Sequence, residues 1–235
     1  MLADLELMRI HIRALFTHNA ESRLLFVNEP SGATFPAPRL FLGRTRGGNV
    51  WRFRADVPEN IAAELDALCA DEPAVRAEFS EPPRHVEAFV RLLEQHAPVR
   101  KMSRGLAYQF TEYATSSNDL LPVTENNAEV LQGKFEELIP DVSLEQPFVA
   151  RIEGNRAVSV CRSVRITLEA HEAGLETLSE FRGKGYAQEV TAEWALRVRA
   201  IGAVPLYSTS WENTVSQSVA RKLNLECYGV DFQII

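Results

Sequence analysis

Hydrophobic and polar positions alternate with a short period over the first part of the chain. Residues 23–28 and 39–45 read as strands, Gly47-Gly48 marks a turn, and residues 50–57 read as the returning strand. Pro58 then opens a helix to about residue 70, since a missing N–H costs nothing at a helix start. Between Pro83 and Ala97 the period lengthens: Val86, Phe89, Val90 and Leu93 recur at three and four residues, as one face of a helix requires. Prolines 73, 82, 83 and 98 cluster around this stretch and suggest a boundary near it. Beyond it the pattern gives a strand over 107–113, a helix over 125–138 stopped by Pro140, and a strand pair over 148–153 and 157–167 across Gly154-Asn155. A third strand follows at 173–178. Ala187, Val190, Trp194, Val198 and Ile201 then repeat at helical spacing up to Gly202. A strand at 206–210, a helix from Asn213 through Leu223 and a closing strand at 228–235 complete the order.

The segment 39–54 interleaves arginines with Phe41, Trp51 and Phe53, which superficially suggests nucleic-acid contact. Alternation explains it more simply, because on a hairpin Trp51 and Phe53 share one face while Arg52 and Arg54 share the other.

Composition narrows the class. A chain of 235 residues, 46% hydrophobic and 24% charged, can bury a sizeable core. Its formal net charge of -7 argues against a dedicated nucleic-acid binder, which needs a basic footprint. Three cysteines, Cys69, Cys161 and Cys227, are too few and too far apart for a disulfide framework or a Cys-x-x-Cys metal site, so no metal and a cytoplasmic setting are expected. Asp4 and Glu6 interrupt the first apolar stretch, and no apolar run approaches membrane-spanning length, so neither export nor membrane partners are expected.

The chemistry concentrates at Arg182-Gly183-Lys184-Gly185-Tyr186-Ala187, between a strand and a helix. Backbone N–H groups and the helix dipole converge there on a point that suits a phosphate. A dinucleotide loop would need a third small residue where Gln188 stands, and a Walker loop would need Ser or Thr where Gly185 stands. Alone, the hexapeptide reads equally well as a tight turn feeding a surface helix.

The hexapeptide resembles the Gln/Arg-x-x-Gly-x-Gly/Ala signature of the GNAT acetyltransferase superfamily, and the flanking elements follow that family's order. The resemblance covers 107–235 and includes Gly174-Leu175-Glu176-Thr177-Leu178 before the loop, Asn213 at the next helix, and Arg221-Lys222-Leu223-Asn224-Leu225. It implies a mixed α/β (α+β) fold: a mostly antiparallel sheet with two splayed central parallel strands, in a domain at 105–235. A smaller mixed α/β domain at 1–100 would lie on the acceptor side. Acetyl-CoA would be the co-substrate, with Thr177 and Leu178 pairing with its pantetheine arm, Arg182, Gly183, Lys184, Gly185, Tyr186 and Ala187 cradling the pyrophosphate, and Asn213 and Ser216 on the far side.

The implied reaction transfers an acetyl group to a primary amine, of a small molecule or a peptide, by direct attack in a ternary complex. An alkylammonium has a pKa near roughly 10, so a base must deprotonate it. Glu172 and Glu176 share one strand face, with Gly174 between them leaving room beside a substrate, and either is a candidate base. Both also read as solvated strand carboxylates, and His171 as a surface residue. A strand N–H of Thr177 or Leu178 would stabilise the oxyanion. Many family members protonate the leaving thiolate with a helix tyrosine, but Ala220 stands at that position, leaving Tyr207, Ser208, Ser210 and Ser218 as donors. That departure keeps a non-catalytic coenzyme A binding module open as the alternative. Monomer and homodimer are equally compatible with the sequence.

Overall fold

The computed structural model describes residues 2–76, 79–111 and 120–235. Its elements are α1 (Asp4–Leu15), β1 (Phe16–His18), β2 (Leu24–Val27), β3 (Leu40–Thr45), β4 (Gly48–Phe53), α2 (Glu59–Asp71), α3 (Val86–Glu94), β5 (Met102–Gln109) and β6 (Leu120–Pro122). There follow β7 (Phe148–Glu153), β8 (Arg156–Ile166), β9 (Ala170–Thr177), α4 (Tyr186–Ala200), β10 (Val204–Ser210), α5 (Thr214–Lys222) and β11 (Glu226–Ile234). Nine strands form one sheet in the order β4-β3-β11-β5-β10-β9-β8-β7-β6, while β1 and β2 pair separately. Among the described residues, β9 and β10 are the one parallel pair in the large sheet, and the expected mixed, mostly antiparallel architecture is present.

Strand alternation sorts the helices onto two faces. Leu40 and Leu42 pack with Phe53 and Phe232 against α2 and α3. Phe41 points the other way and joins Leu7, Met8, Ile12, Leu206 and Tyr228 beneath α1. Val149 and Cys161 meet Val190, Trp194 and Val198 of α4, whereas Ala150 and Val160 face two 3-10 segments, Glu125–Leu131 and Glu136–Asp141. Burying a large apolar side chain such as fully enclosed Trp194 contributes roughly 1.5–3 kcal/mol.

Four features depart from the pattern reading. Residues 4–15, read only for their interrupted apolar stretch, form α1. The helix expected over 125–138 is two 3-10 segments, because Gly133 at φ +94° separates them and Asn127 leaves the helical region at φ -137°; Pro140 lies inside the second rather than ending it. The strand expected over 107–113 is seen as Met102–Gln109, and residues 112 and 113 lie outside the described residues. All six residues of β3 are buried, so that strand does not show the simple in–out alternation expected of its hairpin.

Residues before and after 100 share this sheet, since β3 pairs with β11 from Thr45 opposite Gly229 to Leu40 opposite Ile234. Close approach fixes α1 on it. Met8 occupies the space over two glycines: a Cβ on Gly43 would sit 2.4 Å from Met8 Cγ, and one on Gly229 would sit 2.5 Å from Met8 Cε. No helix among the described residues is long and apolar enough to cross a membrane.

Candidate functional site

The parallel strands β9 and β10 pair only from Ala170 opposite Val204 to Glu172 opposite Leu206. Beyond those residues each strand continues without the other, and a cleft of about 670 Å³ opens where they part. It is lined by Leu175 to Thr177 of β9 and Leu178 just after it, by the loop and first turn of α4, and by Asn213 to Ser216 with Val219 and Lys222 of α5. Of the residues the sequence assigns to the cofactor, Thr177, Leu178, Arg182, Gly183, Gly185, Tyr186, Ala187, Asn213 and Ser216 line this cleft. Lys184 lies beside it, with Nζ 4.7 Å from the centre of the Phe181 ring.

The loop geometry follows from its glycines. Gly183 and Gly185 have φ of +79° and +92°, where a side chain would be strained, and a Cβ at either would meet nothing within 4 Å. Gly185 occupies the N-cap position of α4 without a side-chain cap, and Glu189 N–H is bonded to Gly185 O. The N–H groups of Tyr186, Ala187 and Gln188 therefore precede any i–4 carbonyl in the helix and face the opening with the positive end of its dipole. Tyr186 anchors this turn: its hydroxyl donates to Glu153, and Arg151 lies 4.7 Å over its ring.

Charge in the cleft runs against that of the whole protein. Lys134, Arg182 and Lys222 line it, while Glu176 is its one lining carboxylate among the described residues. Glu176 accepts a 2.7 Å bond from Arg162, which also holds Glu145. Lys134 and Phe135 come from between the two 3-10 segments, and no local motif pointed to them. At the opposite wall, Asn213 Oδ1 accepts from Ser216 N–H at 3.0 Å and caps α5.

Just past the end of β9, Leu178 N–H donates to Val158 O at 3.0 Å, so it is unavailable to a ligand. Alternation then turns the backbone N–H and C=O of Thr177 toward the gap; Arg182 Nε donates to that carbonyl at 3.4 Å, and the Thr177 hydroxyl lies 2.7 Å from Ser159 Oγ. The two glutamates do share a face, but their settings differ. Glu176 is exposed at the cleft; Glu172 is only 4% exposed. Burial pushes the Glu172 carboxyl up to about 7, with Ser208 and Arg165 partly offsetting this and Asp231 adding to it. Neither Glu172 oxygen reaches a hydrogen bond of standard geometry. Space beside Gly174 is filled, not open: a Cβ there would lie 2.2 Å from Val164 Cγ1. His171 is buried rather than superficial, its Nδ1 2.9 Å from Ser163 Oγ, which also accepts from Trp194 Nε1.

The remaining candidates separate by strand face. Tyr207 is 2% exposed, packs with Tyr108 and Ala220, and reaches Ser216, with its hydroxyl 2.5 Å from Ser216 Oγ. Burial raises its phenol to about 12. A strand tyrosine thus packs against Ala220, and through Ser216 it touches the cleft. Ser218 lines the cleft directly. Ser208 points to the other face, toward Glu172. Among residues not anticipated, His11 of α1 has Nε2 3.7 Å from Glu172 Oε2, and its Nδ1 lies 2.9 Å from the Tyr228 hydroxyl. The signal available in sequence was a histidine on the apolar face of a helix, one turn after Met8.

A sequence model described as GNAT acetyltransferase matches residues 69–229. No curated protein matches the chain. Similar solved structures include a GNAT-family protein from Novosphingobium aromaticivorans, 15% identical over 58% of this chain and 65% of that one, with a TM-score of 0.45. This chain thus spans just under two thirds of that protein's length. An acetyltransferase of the GNAT family from Colwellia psychrerythraea is 14% identical, with 79% and 76% covered and a TM-score of 0.49. A GCN5-related N-acetyltransferase-like protein from Streptococcus suis is 15% identical, with 85% of each covered and a TM-score of 0.47.

Proposed function

We propose that this chain, which belongs to the GNAT acetyltransferase family, transfers an acetyl group from acetyl-CoA to a primary amine by direct attack within a ternary complex. The observation that carries this reading is a cation-lined cleft where a left-handed glycine loop, the head of α4 and the gap between two parallel strands meet, in a protein of net charge -7. Bound there, acetyl-CoA would supply an activated acyl thioester. The residues 182–187 fit its pyrophosphate through backbone N–H groups, and Lys134 and Lys222 add positive charge. Thr177 offers its N–H to the acyl or pantetheine end.

Glu172 is our choice of base. A carboxyl whose pKa lies near 7 is half ionised at neutral pH and is matched to taking a proton there, whereas Glu176 is held by Arg162. At 4% exposure Glu172 would work through a water rather than by direct contact with the amine. Ser216, with Tyr207 behind it, is positioned to return a proton to the leaving sulfur. The acceptor, a small-molecule or peptide amine, would approach on the face covered by α1, which gives residues up to about 100 a part in shaping its pocket. A non-catalytic coenzyme A binding module is the second reading, favoured by the absence of a tyrosine at Ala220.

Titration calorimetry with acetyl-CoA, followed by thiol release across an amine library, tests both. Binding with amine-dependent release supports transfer. Binding without release on any amine selects the module, and no binding removes both.

A further inference from the structure

We propose that His11, carried on α1, is a positioning residue that sets the proton affinity of Glu172 by presenting Nε2–H to its carboxyl, with the Tyr228 hydroxyl fixing that tautomer. Its significance for catalysis rests on the reading of Glu172 as the base, but its test does not.

The geometry begins with orphaned groups. His11 is fully buried, and its Nε2 has no hydrogen-bond partner; the oxygens of buried Glu172 make no hydrogen bond of standard geometry either, Ser208 being the donor turned toward them. His11 Nε2 and Glu172 Oε2 face each other at 3.7 Å, beyond hydrogen-bond length but within strong charge–dipole range. Buried polar groups without partners are costly, so two that meet head-on are read together. The other ring nitrogen decides the tautomer. Tyr228 is also fully buried, and His11 Nδ1, at 2.9 Å, is the acceptor its proton has among the described residues. If Nδ1 carried the hydrogen, the tyrosine proton would lack an acceptor and a lone pair of Nε2 would face a carboxylate. With Tyr228 donating to Nδ1, every proton has a direction, and the N–H points at Glu172.

Burial keeps both partners in the required state. His11 is pushed down to about 4 and stays neutral at physiological pH, and Tyr228 is raised well above its ordinary value and keeps its proton. The 3.7 Å contact is therefore not an ion pair. Other groups around Glu172 are Arg165 from β8, Ser208 from β10 and Asp231 with Tyr228 from β11. Cys161 of β8 and Tyr207 of β10, on the far face, also feel its charge. Arg165 and Ser208 favour the carboxylate and Asp231 opposes it. His11 adds a neutral donor from α1. It lies before residue 69, where the family match begins, so this hold on the carboxyl comes from the part of the chain outside that match.

Carboxyl 13C NMR titration, with the Glu172 resonance assigned by its loss in Glu172→Gln, reads the effect directly. In His11→Leu the Glu172 midpoint should rise by about one pH unit, because a donor favouring the charged form is gone. His11→Gln, which keeps an N–H near the Nε2 position, should return most of that shift, and Tyr228→Phe should raise the midpoint by less. Where an amine is turned over, the acid limb of kcat/KM should move in parallel. An unmoved midpoint in folded His11→Leu overturns the proposal; should that variant fail to fold, an unmoved midpoint in Tyr228→Phe, which loses one oxygen, overturns it instead. A shifted midpoint without turnover on any amine supports the hold of His11 on Glu172 and refutes the base role, so the two failures remain distinct.

Discussion

The cleft at the head of α4 and the chamber around Glu172 sit on one strand, β9, and are built in opposite ways. The cleft is made largely of backbone: two left-handed glycines, the first N–H groups of a helix, and a strand edge freed by the parting of β9 and β10. Its side chains contribute net positive charge in the open. The chamber is made of side chains brought from α1, β8, β9, β10 and β11, it is enclosed, and its groups are forced toward their neutral forms. Backbone holds an anion without regard to pH, while buried side chains make proton transfer depend on it. Binding and proton chemistry are thus separable by substitution, although both draw on residues of β9.

The sharpest separation should come from Gly185→Asp. A carboxylate placed in the opening should weaken acetyl-CoA binding by about 100-fold or more, at a folding cost of about 1–2 kcal/mol set by the φ of +92° rather than by a clash, since no atom lies within 4 Å of the new Cβ. Calorimetry and a thermal melt on the same sample check both halves. Glu172→Gln should do the reverse, lowering kcat/KM at pH 7 by roughly 10²- to 10³-fold while the acetyl-CoA Kd stays unchanged.

The same variant carries a sign-definite pH signature. Glu172 rises from 4.5 to about 7 on folding, so the native state binds the extra proton between those values. Its contribution to stability is complete below pH 4.5 and is lost as pH climbs through about 7. Urea melts should therefore show wild type losing stability relative to Glu172→Gln between pH 5 and 8, by on the order of 2–3 kcal/mol. Activity moves the opposite way, rising through about 7 as the carboxylate forms. A flat difference between the two proteins would mean that Glu172 is not strained by its surroundings.

Smaller effects test the edges of the comparison. Tyr207→Phe should lower kcat by about tenfold with little change in KM, if its link to Ser216 feeds a proton to the leaving sulfur. Glu176→Gln should change kcat by less than about threefold, since an exposed carboxylate paired with Arg162 contributes little beyond that contact. A larger loss than that of Glu172→Gln would exchange the two glutamates' roles.

The two regions also differ in how far they could be read before folding. Backbone-built features are local, so the hexapeptide from Arg182 to Ala187, the cap at Asn213 and the stop at Gly202 all appear where their residue types demand. The strand order and the parting of β9 and β10 came from resemblance, not from spacing. The chamber was invisible because it depends on register between elements up to 217 positions apart, as for His11 and Tyr228. Even the pair Glu172 and Glu176, correctly placed on one face, gave no sign of their difference, which comes from α1 covering one and solvent reaching the other. Val164 over Gly174 shows the same limit: a glycine that reads as room for a ligand can equally be room for a neighbour.

The ladder between β3 and β11 has a practical consequence for anyone cutting the chain. A fragment beginning near residue 105 would lose β3 and β4 and leave β11 as a bare sheet edge, with Phe232 and Ile234 stripped of α2 and α3. Unprotected edges of that length recruit other strands, so such a fragment should be sticky before it is informative. Charged substitutions such as Phe232→Lys and Ile234→Glu would act as gatekeepers on the exposed face, turning a solubility failure into a sample on which binding can be measured.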